Sequence, residues 1–412
     1  MTNVREVISD QTMFDLNVQG NDISGTKHYS CRDYIIDNCI ISSEIQFTKV
    51  PYNLIFTNCV FTEKFVFPKI IANTVDFTNS VFEKDVDITE VTFEKKVYFN
   101  NVTFLGKVLF NNTKFNALAD FWHTTFEEKV IFYKTDFNGT TVFSAATFKD
   151  NVLFTYSLFS KVGIFNSTDF EKGVDFSQSI ISGTLNFFNI KLENFTAINR
   201  IFTKDTFDYD NFITQSGDIP IINKRETFRI IKSVLISNNN HVEAQKFQMF
   251  EIDTLHKELK LKRKELLNIK AIKLLNNTLF LIKKWIFYLK SSIKFVTDLF
   301  FINTELFLLF LNKISNKHGS SWSRGVFFTG LIAFIFYFFV ELSYHGFCFE
   351  KFSFQSLNVK TFLMFINPFH DFDILSVKNS TKITYILDYT GRIFISYGIY
   401  QTVQAFRKYK NK

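Results

Sequence analysis

The chain has 412 residues, 46% of them hydrophobic, with 56 Phe against 14 Gly and 4 Pro. Disorder and collagen-like or linker character are excluded, because so aromatic a chain can bury a large core. Four Cys (Cys31, Cys39, Cys59, Cys348) are too few for a disulfide scaffold of this size.

The net charge of +7 is uneven. Residues 32–200 carry 16 basic and 19 acidic side chains, whereas residues 224–294 carry 16 basic and 6 acidic. Such a basic segment suits a membrane surface or nucleic acid. The opening MTNVREVISDQ has no apolar run, so no cleavable signal peptide is expected, and the first half is expected to stay in a reducing cytoplasm.

From residue 77 the chain can be cut every eleven residues, as in FTNSVFEKDVD, ITEVTFEKKVY and FNNVTFLGKVL. Each unit has a large apolar residue at its first and sixth positions. Of these 22 slots 19 are Phe: Phe77, Phe82, Phe93, Phe99, Phe104, Phe110, Phe115, Phe121, Phe126, Phe132, Phe137, Phe143, Phe148, Phe154, Phe159, Phe165, Phe170, Phe176 and Phe187. The others are Ile88, Ile181 and Leu192. Two residues before a slot sits a small or β-branched residue, such as Val75, Ser80, Val86 or Thr113, and the remaining positions are mostly polar. Spacings of five and six fit neither a helix nor a plain strand. A coil that turns a corner about every five residues points every slot inward, and stacked coils bury what one unit alone cannot.

Val75-Asp76-Phe77-Thr78-Asn79 and Thr168-Asp169-Phe170-Glu171-Lys172, each a small residue, any residue, Phe and two more, resemble the pentapeptide-repeat proteins over roughly residues 34–198. The resemblance implies a right-handed, four-sided parallel β-helix with four repeats per coil, about 24 Å tall over residues 77–187. The register before residue 77 is less regular, which suits an irregular cap or the first coils.

After Leu192 a polar stretch leads through Pro220, and helical spacing follows in KRETFRIIKSVLISNN and VEAQKFQMFEIDTLHKELKLKRKELL. A helical hairpin capping the solenoid is expected. In LFLIKKWIFYLKSSIKF, Lys283, Lys284, Lys290 and Lys294 interrupt the apolar runs, so a basic amphipathic helix on an anionic inner leaflet is expected there. VFFTGLIAFIFYFFV, residues 326–340, is charge-free and approaches the length of a membrane span. The stretch from Ile383 to Phe406 is more polar. Asp388 and Arg392 could pair on one helix face, Gly391 and Gly398 could allow close helix approach, and Gln401 and Gln404 are candidates to line a pore.

The expected organisation is therefore an N-terminal segment (1–33), the β-helix (34–198), a linker (199–222), a helical hairpin (223–268), basic membrane-surface helices (269–312), a transmembrane helix (326–344), an external or re-entrant loop (345–381), a second transmembrane helix (382–406) and a basic tail (407–412). Basic residues flank both spans, which places both termini in the cytoplasm. The C-terminal part resembles bacterial membrane-anchored pentapeptide-repeat proteins, which implies an inner-membrane location.

No phosphate loop, nucleophile elbow or zinc-spaced Cys pair is present, so no enzyme, cofactor or metal is expected. His370 with Asp371 and Asp373 is the one cluster of candidate ligands, read as a solvated turn. A membrane-anchored scaffold that binds a protein partner is expected, the alternative being an oligomeric two-span pore or ion channel. The near-neutral repeat and the adjacent apolar span disfavour nucleic acid as a partner.

Overall fold

The computed structural model describes residues 6–8, 33–42, 44–46, 53–192, 194–202, 206–275, 285–344, 347, 357–371 and 382–410. The chain divides into two units, Met1–Thr254 and Leu255–Lys412.

The first unit is a parallel β-solenoid. Its strands are mostly two residues long, as in Val75–Asp76, Val81–Phe82, Val86–Asp87 and Thr92–Phe93, because the chain must turn a corner after each. Each strand pairs in parallel with the equivalent strand of the next coil, 22 residues on: Val75 with Val97, Val81 with Thr103, Val86 with Val108 and Thr92 with Lys114. Below residue 77 the step shortens, with Asp33 opposite Asn53 and Leu54 opposite Val75. The irregular stretch is thus the first coils. Glu6–Ile8 pairs with Cys39–Ile41, so the sheet reaches into the segment set apart as residues 1–33.

All 19 Phe of the slots are buried, none more than 2% exposed. Rings one coil apart stack nearly parallel: Phe126 on Phe148 at 4.9 Å and 2°, Phe132 on Phe154 at 4.8 Å and 3°, Phe115 on Phe137 at 5.3 Å and 3°, Phe121 on Phe143 at 4.8 Å and 7°. The stack from Phe56 through Phe77, Phe99, Phe121, Phe143 and Phe165 to Phe187 makes about six turns.

The small position has a chemistry of its own. Buried hydroxyls there donate to the slot carbonyl of the coil below: Thr113 to Ile88 at 2.7 Å, Thr124 to Phe99 at 2.6 Å, Thr135 to Phe110 at 2.6 Å and Thr168 to Phe143 at 2.8 Å. A hydroxyl taken out of water is costly unless it finds such a partner.

One outer face is apolar. Ile131 and Leu153 follow the inward Val130 and Val152, so strand alternation points them outward, yet both are fully buried. Helix α1 (Thr206–Ser216) and the segment after it lie over them. Ile213 is fully buried in the same cluster, Lys129 pairs with Asp218 at 2.9 Å, and the Asn151 amide donates to the Gly217 carbonyl at 3.2 Å. A helix therefore occupies part of the stretch expected as linker.

Helix α2 (Ile221–Ser237) starts after Pro220, whose missing N–H is no loss at a helix start, and α3 (His241–Leu275) follows a short turn. Phe228, Ile231, Leu235, Ala244 and Phe247 join the solenoid core. Thr227 Oγ1 accepts from the Phe176 N–H at 2.9 Å and Asn238 donates to the Leu185 carbonyl at 3.0 Å, so the last coil's backbone is met by helix side chains. The buried Asp175 accepts from Asn223 at 2.7 Å and from the Ser177 N–H at 2.7 Å.

The second unit holds α4 (Trp285–Asn316), α5 (Trp322–Tyr344), α6 (Val359–Phe365) and α7 (Lys382–Lys410). Helices α5 and α7 pack antiparallel through small residues. A Cβ on Gly325 would lie 3.0 Å from Thr402 Cα, one on Gly398 3.2 Å from Thr329 Cα, and one on Gly391 3.0 Å from Phe336 Cβ. Among the described residues α5 is the one helix long and apolar enough to cross a membrane, with mean hydropathy 2.1.

Candidate functional site

The helical unit buries ionisable groups against its apolar core. Asp388, on α7, is 2% exposed; its Oδ2 accepts from Arg392 Nε at 2.8 Å, and its Oδ1 lies 2.9 Å from His370 Nε2. His370 itself is 5% exposed. The solvated-turn reading of His370 is thus corrected, because the turn after α6 folds its ring onto α7. Asp371 is exposed, and Asp373 lies outside the described residues. Among the described residues no group of three or more His, Cys, Asp or Glu is placed to hold a metal ion.

Local chemistry sets the turn. The Asn358 side chain caps α6 by accepting from the Lys360 N–H at 2.8 Å. The Tyr337 hydroxyl of α5 accepts from the Asn358 N–H at 3.2 Å, and Phe365 packs on the Tyr337 ring at 5.7 Å. Asn367, before Pro368, accepts the Phe369 N–H on its side chain at 3.1 Å. Its carbonyl takes the His370 N–H at 3.1 Å and lies 2.7 Å from His370 Nδ1. A recess of about 560 Å³ on the outer side is lined by Tyr385, Ile386, Asp388, Tyr389, Thr390 and Arg392.

The other residues singled out from the sequence part company. Gln401 is buried, donating to Asn312 Oδ1 at 2.7 Å and accepting from Asn316 Nδ2 at 2.6 Å, while Gln404 is exposed. Gly391 and Gly398 both face α5. Lys283 and Lys284 lie outside the described residues, as do the side chains of Lys290 and Lys294. The Asp388–Arg392 pair was legible from four-residue spacing. The His370 contact was not, since eighteen residues separate the partners.

The outer faces of the solenoid carry ladders of side chains. At every eleventh residue from Asn79 to Asn189 the backbone has positive φ, the left-handed conformation that Asn tolerates well. One edge carries Asn79 to Asn58 at 3.3 Å, Asn101 to Asn79 at 2.8 Å and His123 to Asn101 at 3.0 Å. Ion pairs also join successive coils, among them Lys149–Glu127 at 2.8 Å and Lys172–Asp150 at 2.8 Å. Residues 77–125 match the family described as Pentapeptide repeats (9 copies). The chain carries pentapeptide repeats. Its matched repeats lie within a solenoid that continues on both sides, keeping the 22-residue step toward the C-terminus and shortening it toward the N-terminus. No curated protein and no solved structure matches the chain.

Proposed function

We propose that this pentapeptide-repeat protein is a membrane-anchored scaffold, in which a right-handed, four-sided solenoid offers its polar outer faces to a protein partner while α5 and α7 cross the bilayer. The carrying observation is the inverted polarity of the helical unit. Thr329, Ser343, Thr384, Asp388 and Gln401 are buried, while Phe327, Phe334, Ile386, Tyr389 and Ile393 are exposed. Water would select the opposite arrangement, and lipid selects this one. The α5 hydropathy and the glycine contacts between α5 and α7 support the same reading.

On this proposal both termini face the cytoplasm of a bacterial cell, and Lys283, Lys284, Lys290 and Lys294 rest on the anionic inner leaflet. A scaffold is preferred to a two-span pore because Gln401 and Asp388 find their partners within one chain. The full chain, reconstituted in liposomes, should float with them after washes in high salt and alkaline carbonate and should show no ion flux. Release by either wash would contradict the anchor, and flux abolished by changing Gln401 would favour the pore.

A further inference from the structure

The two ring contacts of His370 cannot both be made by a neutral imidazole beside an ionised Asp388. Both ring nitrogens face oxygen acceptors: Nδ1 the Asn367 carbonyl at 2.7 Å, and Nε2 the Asp388 carboxylate at 2.9 Å. A carbonyl has no proton to donate, so Nδ1 must carry one. A neutral ring has none left for Nε2, whose lone pair would then oppose Oδ1. From this geometry we infer that the pair binds one additional proton, on Nε2 or on Asp388, and that this proton holds the turn after α6 against α7. The ligand is thus a proton in a buried site, taken from solvent without any other co-reactant. With it the His370–Asp388–Arg392 cluster carries a net charge of +1, and without it the cluster is neutral.

The site is built to respond. Its two side chains, His370 and Asp388, are 2% and 3% exposed, so water poorly replaces the lost contact, while Arg392 at 26% exposure lines the recess together with Asp388. Among the described residues, the ionisable groups on the surrounding elements include Tyr337, Glu341 and Tyr344 of α5, Lys360 of α6, Asp371 of the turn, and Lys382, Tyr385 and Tyr389 of α7. Of these, Lys360, Asp371, Lys382, Tyr385 and Tyr389 are exposed, and Tyr344 lies within electrostatic reach of Asp388. None of the contacts described for His370 and Asp388 brings a second donor to Nε2, so Asp388 is the group whose protonation, or whose partner's, decides the contact. The inference does not depend on the scaffold reading, since it rests on two hydrogen-bond distances and the valence of an imidazole.

The test uses the full chain in lipid bilayers with ¹⁵N-labelled histidine, followed through a pH series from acid to alkaline. At low pH the His370 signal, assigned by its loss in His370→Gln, should show both nitrogens protonated, or Asp388 should show a protonated-carboxyl infrared band lost in Asp388→Asn. As the proton leaves, amide exchange of residues 357–371, corrected for its intrinsic pH dependence, should quicken on the order of a hundredfold, as expected when a buried pair is broken. Asp388→Asn supplies an N–H to Nε2 and keeps an oxygen for Arg392, so it should hold the turn closed across the whole range. The inference is overturned by an unprotonated Nε2 beside an ionised Asp388 at low pH. Exchange that ignores pH in the wild type overturns it too, as does a variant that responds as the wild type does. Should His370→Gln not fold, the wild-type and Asp388→Asn exchange profiles decide alone.

Discussion

At Ala145 the backbone has φ 57°, and at Tyr156 φ 59°, in corners where other coils carry Asn, His or Ser in the first case and Glu, Asn, Lys or Gln in the second. A Cβ in this conformation costs about 1–2 kcal/mol, a cost Asn and Gly carry more lightly. Ala145 also interrupts the edge ladder between His123 and Ser167. Ala145→Asn should therefore raise the solenoid's stability by up to about 1 kcal/mol, and Ala145→Val should lower it, as thermal unfolding would report. Inside the coil the direction reverses. Phe132 stacks between Phe110 and Phe154, and Phe132→Ala should cost about 3–5 kcal/mol.

Asp175 gives the residue scale a pH signature. Burial pushes its carboxyl above the ordinary 3.8, and hydrogen bonds from Ser177, Asn223 and Thr155 draw it back only in part. The folded chain then keeps a proton that the unfolded chain has already released. Stability from this group is full below 3.8 and is lost as pH rises from there through the raised value. Melting temperature against pH should show that fall in the wild type and a flatter curve in Asp175→Asn. The inward Phe slots were legible because a chain that must hide a large ring every five or six residues has few solutions. Asp175 was not, since its strand position is an ordinary outward one and only the helices beyond it make it a buried one.

At the scale of elements, the outward row Leu109, Ile131, Leu153 repeats every 22 residues. Its meaning was hidden because α1, rich in Asp, Asn and Thr, reads as a loop until Tyr209 and Ile213 are placed on one face. Ile213→Asp would put an unpaired charge where the side chain is now fully buried. It should release α1, read as new protease cleavage within residues 206–216, while the coils keep their far-ultraviolet signature. Glycines of α7 and α5 offer a matched pair of outcomes. Gly398 meets Thr329 at contact distance, so Gly398→Leu should separate α5 from α7 and lower the helical unit's stability severely. Gly330 has nothing within 4 Å of its added Cβ, and Gly330→Ala should be neutral within about 0.5 kcal/mol. Seven-residue spacing announced that Gly391 and Gly398 share a face, but only the packing names that face's partner.

For the whole molecule, periodicity determined the solenoid and composition the helices, whereas the buried cluster needed tertiary contacts that no local pattern carries. The central claim is that the helical unit is solvated by lipid on the outside and keeps its polar groups within. Spin labels placed singly at Phe327, Phe334, Ile386 and Ile393 of the reconstituted full chain test it directly. Collisions with oxygen dissolved in the bilayer and protection from a water-soluble paramagnetic reagent are expected at all four positions. Ready access of the aqueous reagent to these positions would contradict it.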